Sequence, residues 1–140
     1  VRIESGVLMA AALVAAALPA SGPARADECL RYEPEVVRLH GQLRLTVFPG
    51  PPHYRSLDAG DQPETVWLLA LDRPACIDPI ADDAWNIAQS DVRLVQIIPR
   101  APFNVAMNGK PGVVEGTLYR AHGGHPHAEI VLRATGVVPD

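Results

Sequence analysis

The amino-acid sequence predicts an all-β fold, a small five-stranded barrel with reduced or absent helix. Three observations carry that expectation. Five strand-length apolar runs are spread along the chain after residue 34. Loops rich in Pro and Gly separate them, in a chain of 140 residues with 14 Pro and 11 Gly. No stretch after residue 26 keeps a helical apolar period long enough for a helix.

Residues 1–26 read as a cleaved secretory signal peptide, followed by one domain over 27–140. Arg2 supplies a positive start, and Gly6 to Ala17 is apolar but too short to span a bilayer. Pro19, Gly22 and Pro23 break the helix, and Ala24-Arg25-Ala26 offers the small residues a signal peptidase reads. The breakers argue against a buried N-terminal helix. No Arg pair marks the twin-arginine route, and Ala26-Asp27-Glu28 before Cys29 does not fit lipid attachment. The expected product is soluble, periplasmic or secreted, and carries no membrane anchor.

The first strand spans Glu35 to Phe48. Val37, Leu39, Leu43, Leu45 and Val47 share one face, opposite Arg38, His40, Gln42 and Arg44. Gly41 within it marks a bulge or sharp bend. A Pro-rich loop follows over 49–63. Thr65 to Leu71 is the second strand, apolar throughout and therefore buried. Arg73 to Asp91 reads as an acidic loop holding Cys76 and Trp85, with Trp85 anchored over a core Trp67. Val92 to Ile98 is the third strand. Pro99 to Gly112 is broken by Pro and has room for one turn of helix. Val113 to Tyr119 and Ala128 to Val138 are the fourth and fifth strands, joined by the Gly and His loop 121–127. A bent first strand, three further strands and a closing hairpin suit an OB-like barrel, with an SH3-like barrel or small sandwich as the competing architectures.

Cys29 and Cys76 both fall in the exported part, where an oxidising compartment favours pairing them. The chain-entropy model assigns such a bridge ~4 kcal/mol. No C-x-x-C spacing supports redox or metal chemistry at these thiols.

Four blocks make the chain resemble a secreted bacterial group, domain-of-unknown-function family 4431. They are Cys29 to Pro34, Phe48 to Tyr54, Leu71 to Cys76, and Gly109-Lys110 with Gly116 to Tyr119, Ala121-His122 and Gly124 to His127. The resemblance implies an exported OB-like domain without an established activity. The family runs three His in a row before Thr-Pro in the last loop; here Pro126 stands at the middle His and Ala128-Glu129 at Thr-Pro.

Charge narrows the partners. The whole chain is at −4, and loss of Arg2, Arg25 and Glu4 leaves the remainder more acidic. With one Lys and no basic run, it lacks the cationic face that displaces counterions from phosphates. Nucleic acid and anionic membranes are therefore not expected partners. The expected partner is a periplasmic protein or a small ligand, bound by a monomer.

In an OB-like barrel the loops 49–63 and 121–127 border one binding face. Candidate ligand- or partner-binding residues there are His53, Tyr54, Tyr119 and His122. Rigid aromatics beside prolines lose little entropy on binding. His53, His122, His125 and His127 are also candidate ligands for Zn, Cu or Ni. Their spacing matches no standard zinc pattern, and Gly123, Gly124 and Pro126 serve a hairpin without any metal. Asp78, Asp82 and Asp83 lack calcium-loop spacing. Neither Ser56 nor Ser90 sits in a nucleophile elbow, and no phosphate-binding Gly loop is present. The chain therefore reads first as a binding or accessory module, second as a metal-binding protein, third as a small hydrolase, with no catalytic residues assigned and no cofactor required.

Overall fold

The computed structural model describes residues 28–139. The leader expected over 1–26 lies outside them. Six strands form in chain order: β1 (Leu30–Arg31), β2 (Val36–Pro49), β3 (Pro63–Asp78), β4 (Gln89–Pro99), β5 (Pro111–Arg120) and β6 (Ile130–Pro139). Strands β2 to β6 close on themselves. β2 pairs with β3 and β5, β5 with β6, β6 with β4, and β4 returns to β3. All pairings in the ring are antiparallel except β4–β6. This is the five-stranded OB-like order.

The inner faces follow the period of two. Val37, Leu39 and Leu43 of β2 meet Trp67 and Leu69 of β3, Val95 and Ile97 of β4, Val114 and Leu118 of β5, and Ile130, Leu132 and Ala134 of β6. The alternation of β2 fails after Leu45, and Val47 is 53% exposed rather than inward. The cause is local. β2 leaves β5 after Gln42, and the Leu45 N–H instead donates to Asn108 Oδ1 at 2.9 Å.

Two glycines let strands touch closely. A Cβ on Gly41 would sit 2.2 Å from the Ala70 carbonyl oxygen, and one on Gly116 would sit 2.1 Å from that of Arg133. Both lie where β2 and β5 coil tightly against a neighbour. Gly116 also adjoins a register shift against β6.

The second strand is much longer than its apolar run. The stretch Arg73–Asp78, which composition reads as loop, continues β3. Its register to β4 slips between Ala70 and Ala75 and again before Ile77. Pro74 sits in that slip, where its missing N–H breaks no ladder. Past the slip, Ile77 and Asp78 pair in parallel with the short strand β1, which sequence reading missed. Cys76 is thus inside β3, not beyond it, and the expected Cys29–Cys76 disulfide is formed there.

The connection between β4 and β5 holds only a single 3-10 turn, Val105–Met107. Asn104 caps it by accepting the Ala106 N–H. Phe103 and Met107 pack against the core from this side. The Phe103 ring, not Trp85, covers Trp67, at 5.8 Å between centroids. Among the described residues no helix is long and apolar enough to cross a membrane.

Candidate functional site

The loop 50–62 is organised by a residue that composition does not single out. Asp61 is the buried charged residue of the described chain, at 5% exposure. Its Oδ1 accepts the His53 N–H at 2.9 Å. Its Oδ2 accepts the N–H groups of Arg55 at 2.7 Å and Ser56 at 2.9 Å. These bonds, the Ser56 and Arg55 amides first, hold the carboxyl well below the usual range, at about 2. The His53 Nδ1 lies 3.3 Å from the same carboxylate, with the ring mostly in solvent. An Asp in a Pro-rich loop looks like any turn residue. Only its inward direction reveals the role.

That turn places Tyr54 at a φ of 58°, in the left-handed region. The last loop mirrors it, with His125 at 54° after Gly123 and Gly124 at 63° and 67°. Non-Gly residues occupy this region at a cost, and such residues gather at functional sites. Here the two strained residues face each other. Their rings stack at 3.8 Å, within 9° of parallel.

A second contact joins the loops below the first. The His127 N–H donates to Gln96 Oε1 at 2.6 Å. Its ring stacks on Phe48 at 3.9 Å. Its Nε2 donates to Glu64 Oε2 at 3.0 Å. The side chain is only 14% exposed. Loops 49–63 and 121–127 therefore meet, as strand order predicted, but they meet by closing on one another.

Each of the four imidazoles takes its own partner. His53 goes to Asp61, His125 to Tyr54 and His127 to Phe48 and Glu64. His122 goes to the Arg120 carbonyl at 3.0 Å. Among the described residues no three His, Cys, Asp or Glu gather into a metal-ligating group. The His-based metal site that the sequence offers as an alternative reading has no such group among the described residues.

Of the predicted binding residues, Tyr119 and His122 share a site while His53 and Tyr54 belong to the loop contact. Tyr119 and His122 line a cleft of about 360 Å³ with Gln96, Ile98, Val131 and Arg133. It lies on the outer face of β4, β6 and β5, beside the last loop. Val131 is its floor. Ile130 and Leu132 face the core, so Val131 points outward, yet it is only 1% exposed. The register explains the set, since Val131 stands between Gln96 and Tyr119, and Arg133 is beside Ile98.

His122 links two other rings. It lies 6.3 Å from Tyr119, edge to face. Trp85 lies 5.8 Å from His122, at 29° between planes. A carbonyl can only accept, so His122 Nδ1 carries the proton toward Arg120 and Nε2 remains for other partners. The Arg133 guanidinium covers the Tyr119 ring at 4.1 Å, and its Nη1 donates to Glu33 at 2.6 Å. Arg120 is paired likewise, to Glu129 at 3.0 Å. Both cations beside the rings thus have a carboxylate partner.

Trp85 is 60% exposed, not folded over the core, and its loop is firmly held. Asp83 accepts the N–H groups of Trp85 at 2.7 Å and Asn86 at 3.1 Å, and the Asn86 side chain at 2.9 Å. Those bonds, led by the Trp85 amide, lower the Asp83 carboxyl. Asn86 Oδ1 in turn accepts the Arg120 N–H at 3.1 Å. The Tyr32 hydroxyl donates to the Ile87 carbonyl at 2.8 Å. Burial pushes that phenol up.

Three larger hollows, of about 640, 490 and 440 Å³, lie near Tyr32 and Ile80, near Arg38 and Pro74, and near Cys29 and Val37. None gathers rings and hydrogen-bonding groups as the Tyr119 cleft does. Comparison with protein-family models, curated proteins and solved structures finds no match to this chain.

Proposed function

We propose that this chain is an exported, non-catalytic binding domain whose ligand or partner docks in the cleft over Val131. Export is supported by the leader composition and by the disulfide, which belongs to oxidising compartments. Binding is supported chiefly by one observation. Tyr119, His122, Gln96 and Arg133 converge on a preformed apolar floor; partners outside the cleft orient His122, Gln96 and Arg133, and Tyr119 packs against Arg133 and His122. Sites whose side chains are ordered before binding lose less entropy when the ligand arrives.

The face that sequence reading placed between the loops is thereby moved to one side. The Tyr54–His125 and Phe48–His127 stacks fill the space between the loops, so the open surface is the one along β4, β6 and β5.

The test uses ¹⁵N-labelled protein expressed with its leader and recovered from the periplasm. N-terminal sequencing should find the chain starting after Ala26. Titration with a small-molecule fragment library should move the amides of Gln96, Tyr119, His122 and Arg133 first. Fragments that cluster at Arg38 and His40 instead, or that bind Tyr119→Leu as well as the parent, would refute the assignment.

A further inference from the structure

The linked rings extend the cleft into a longer surface, and its chemistry specifies a ligand class. From Trp85 to His122 the centroids step 5.8 Å, and from His122 to Tyr119 6.3 Å. Each step is close to the length of one pyranose unit in a linked chain. The planes turn by 29° at the first step and 79° at the second.

Exposed rings that are held rigid offer faces for stacking at little entropic cost. Trp85 meets that description. It is 60% exposed, while Asp83, Asn86 and Arg120 fasten its loop at both ends. A large ring left this exposed on a loop pinned by those hydrogen bonds is open to a ligand.

The polar groups around the rings are hydrogen-bonding and electrically balanced. Gln96 uses its Oε1 on His127, which leaves its amide N–H groups for a ligand. His122 has Nε2 left over. The two arginines are paired with Glu33 and Glu129. An anionic ligand would have to compete with those carboxylates, within a chain already at −4. A neutral ligand with C–H faces and many hydroxyls meets no such competition.

We infer that Trp85, His122 and the Val131 cleft beside Tyr119 bind a neutral oligosaccharide, with a sugar face on the exposed Trp85 ring and hydroxyls on Gln96 and His122. This rests on the binding reading given above. It adds the ligand class and extends the site to Trp85, which does not line the cleft itself.

The two tryptophans make the experiment direct. Trp67 is buried at 8% exposure and Trp85 is open, so a ligand-induced blue shift or quench of fluorescence reports Trp85. Mature protein from the periplasm is titrated with neutral hexasaccharides (cellohexaose, chitohexaose, maltohexaose), with oligogalacturonate and with octaproline. At least one neutral hexasaccharide should shift the emission saturably. His122→Ala, at an exposed position, should weaken it at least tenfold with an unchanged thermal midpoint; Trp85→Phe, which removes the reporter, is followed instead by the amides of Tyr119 and His122 and should lose at least tenfold in affinity. Oligogalacturonate should bind at least tenfold more weakly. If no neutral hexasaccharide binds at millimolar concentration while fragments still move Tyr119 and His122, the sugar class is wrong and the cleft stands. If fragments also miss the cleft, both readings fall. Octaproline binding in place of the sugars, or equal affinity for oligogalacturonate, overturns the inference.

Discussion

Gly41→Ala tests the geometry of the barrel at its tightest point on β2. The added methyl would lie 2.2 Å from the Ala70 carbonyl oxygen, 2.9 Å from its carbon and 3.0 Å from Leu71 Cα. Cβ atoms essentially never come within 3.0 Å of such atoms, so one strand must move by roughly 1 Å. The obstacles are backbone atoms, which cannot rotate away as a side chain can. Moving them strains the β2–β3 ladder on both sides, where Gln42 pairs with Ala70 and Leu43 with Leu69. Overpacking costs about 1–3 kcal/mol, and a backbone obstacle places this case at the upper end. The unfolded chain loses freedom on the same substitution, which offsets ~0.4–1 kcal/mol. The expected net loss is about 2 kcal/mol, seen in urea as a midpoint lowered by roughly 1.3 M if the slope is near 1.5 kcal/mol/M. Gly136→Ala is the matched control. Its added methyl meets nothing within 4 Å, so it should be neutral or gain a few tenths of a kcal/mol. A Gly41→Ala protein within about 0.5 kcal/mol of the parent, or equal losses in both variants, would refute the close-approach argument.

Replacing both cysteines by Ser removes the tie between β1 and β3 and should lower stability by ~4 kcal/mol on the chain-entropy model, measured by urea melts of oxidised parent and variant. Tyr32→Phe leaves the Ile87 carbonyl without its 2.8 Å donor and should cost about 1 kcal/mol; faster amide exchange in 79–88 is the specific sign, and unchanged exchange there counts against it. Asp61 has its folded value lowered from 3.8 to about 2, so the unfolded chain takes up the proton first as pH falls. Its stabilisation is therefore complete above pH 3.8 and is lost between there and pH 2. Asp61→Asn should be less stable near neutrality and should approach the parent across that window; parallel thermal midpoints from pH 5 to 2 would show that the carboxylate does not hold the loop.

Much of the barrel was legible because it is written in local periodicity. The alternation from Val37 to Leu43 and the apolar run at Val66 to Leu69 need only their own neighbours to declare which side is buried. Loop 49–63 meeting loop 121–127 also followed, because strand order places them together once five strands are accepted. The two cysteines were paired from compartment logic alone.

Other features depend on partners distant in sequence, and no window of residues contains them. Arg73–Asp78 has the composition of a loop, yet it is strand because β1, the far end of β4 and the disulfide supply its pairing. Val47 belongs by period to the core face, but β2 changes neighbours before reaching it. His127 is set by Glu64, 63 positions away, and His125 by the ring of Tyr54. The sequence by itself determined the five apolar strand cores of the barrel, which cysteines bond and which loops meet, since these follow from period, compartment and order. Only the tertiary structure decided that each histidine takes a different partner, that Asp61 turns inward and that Trp85 turns outward. Those choices are made by hydrogen bonds and stacking between residues that chain order does not bring together.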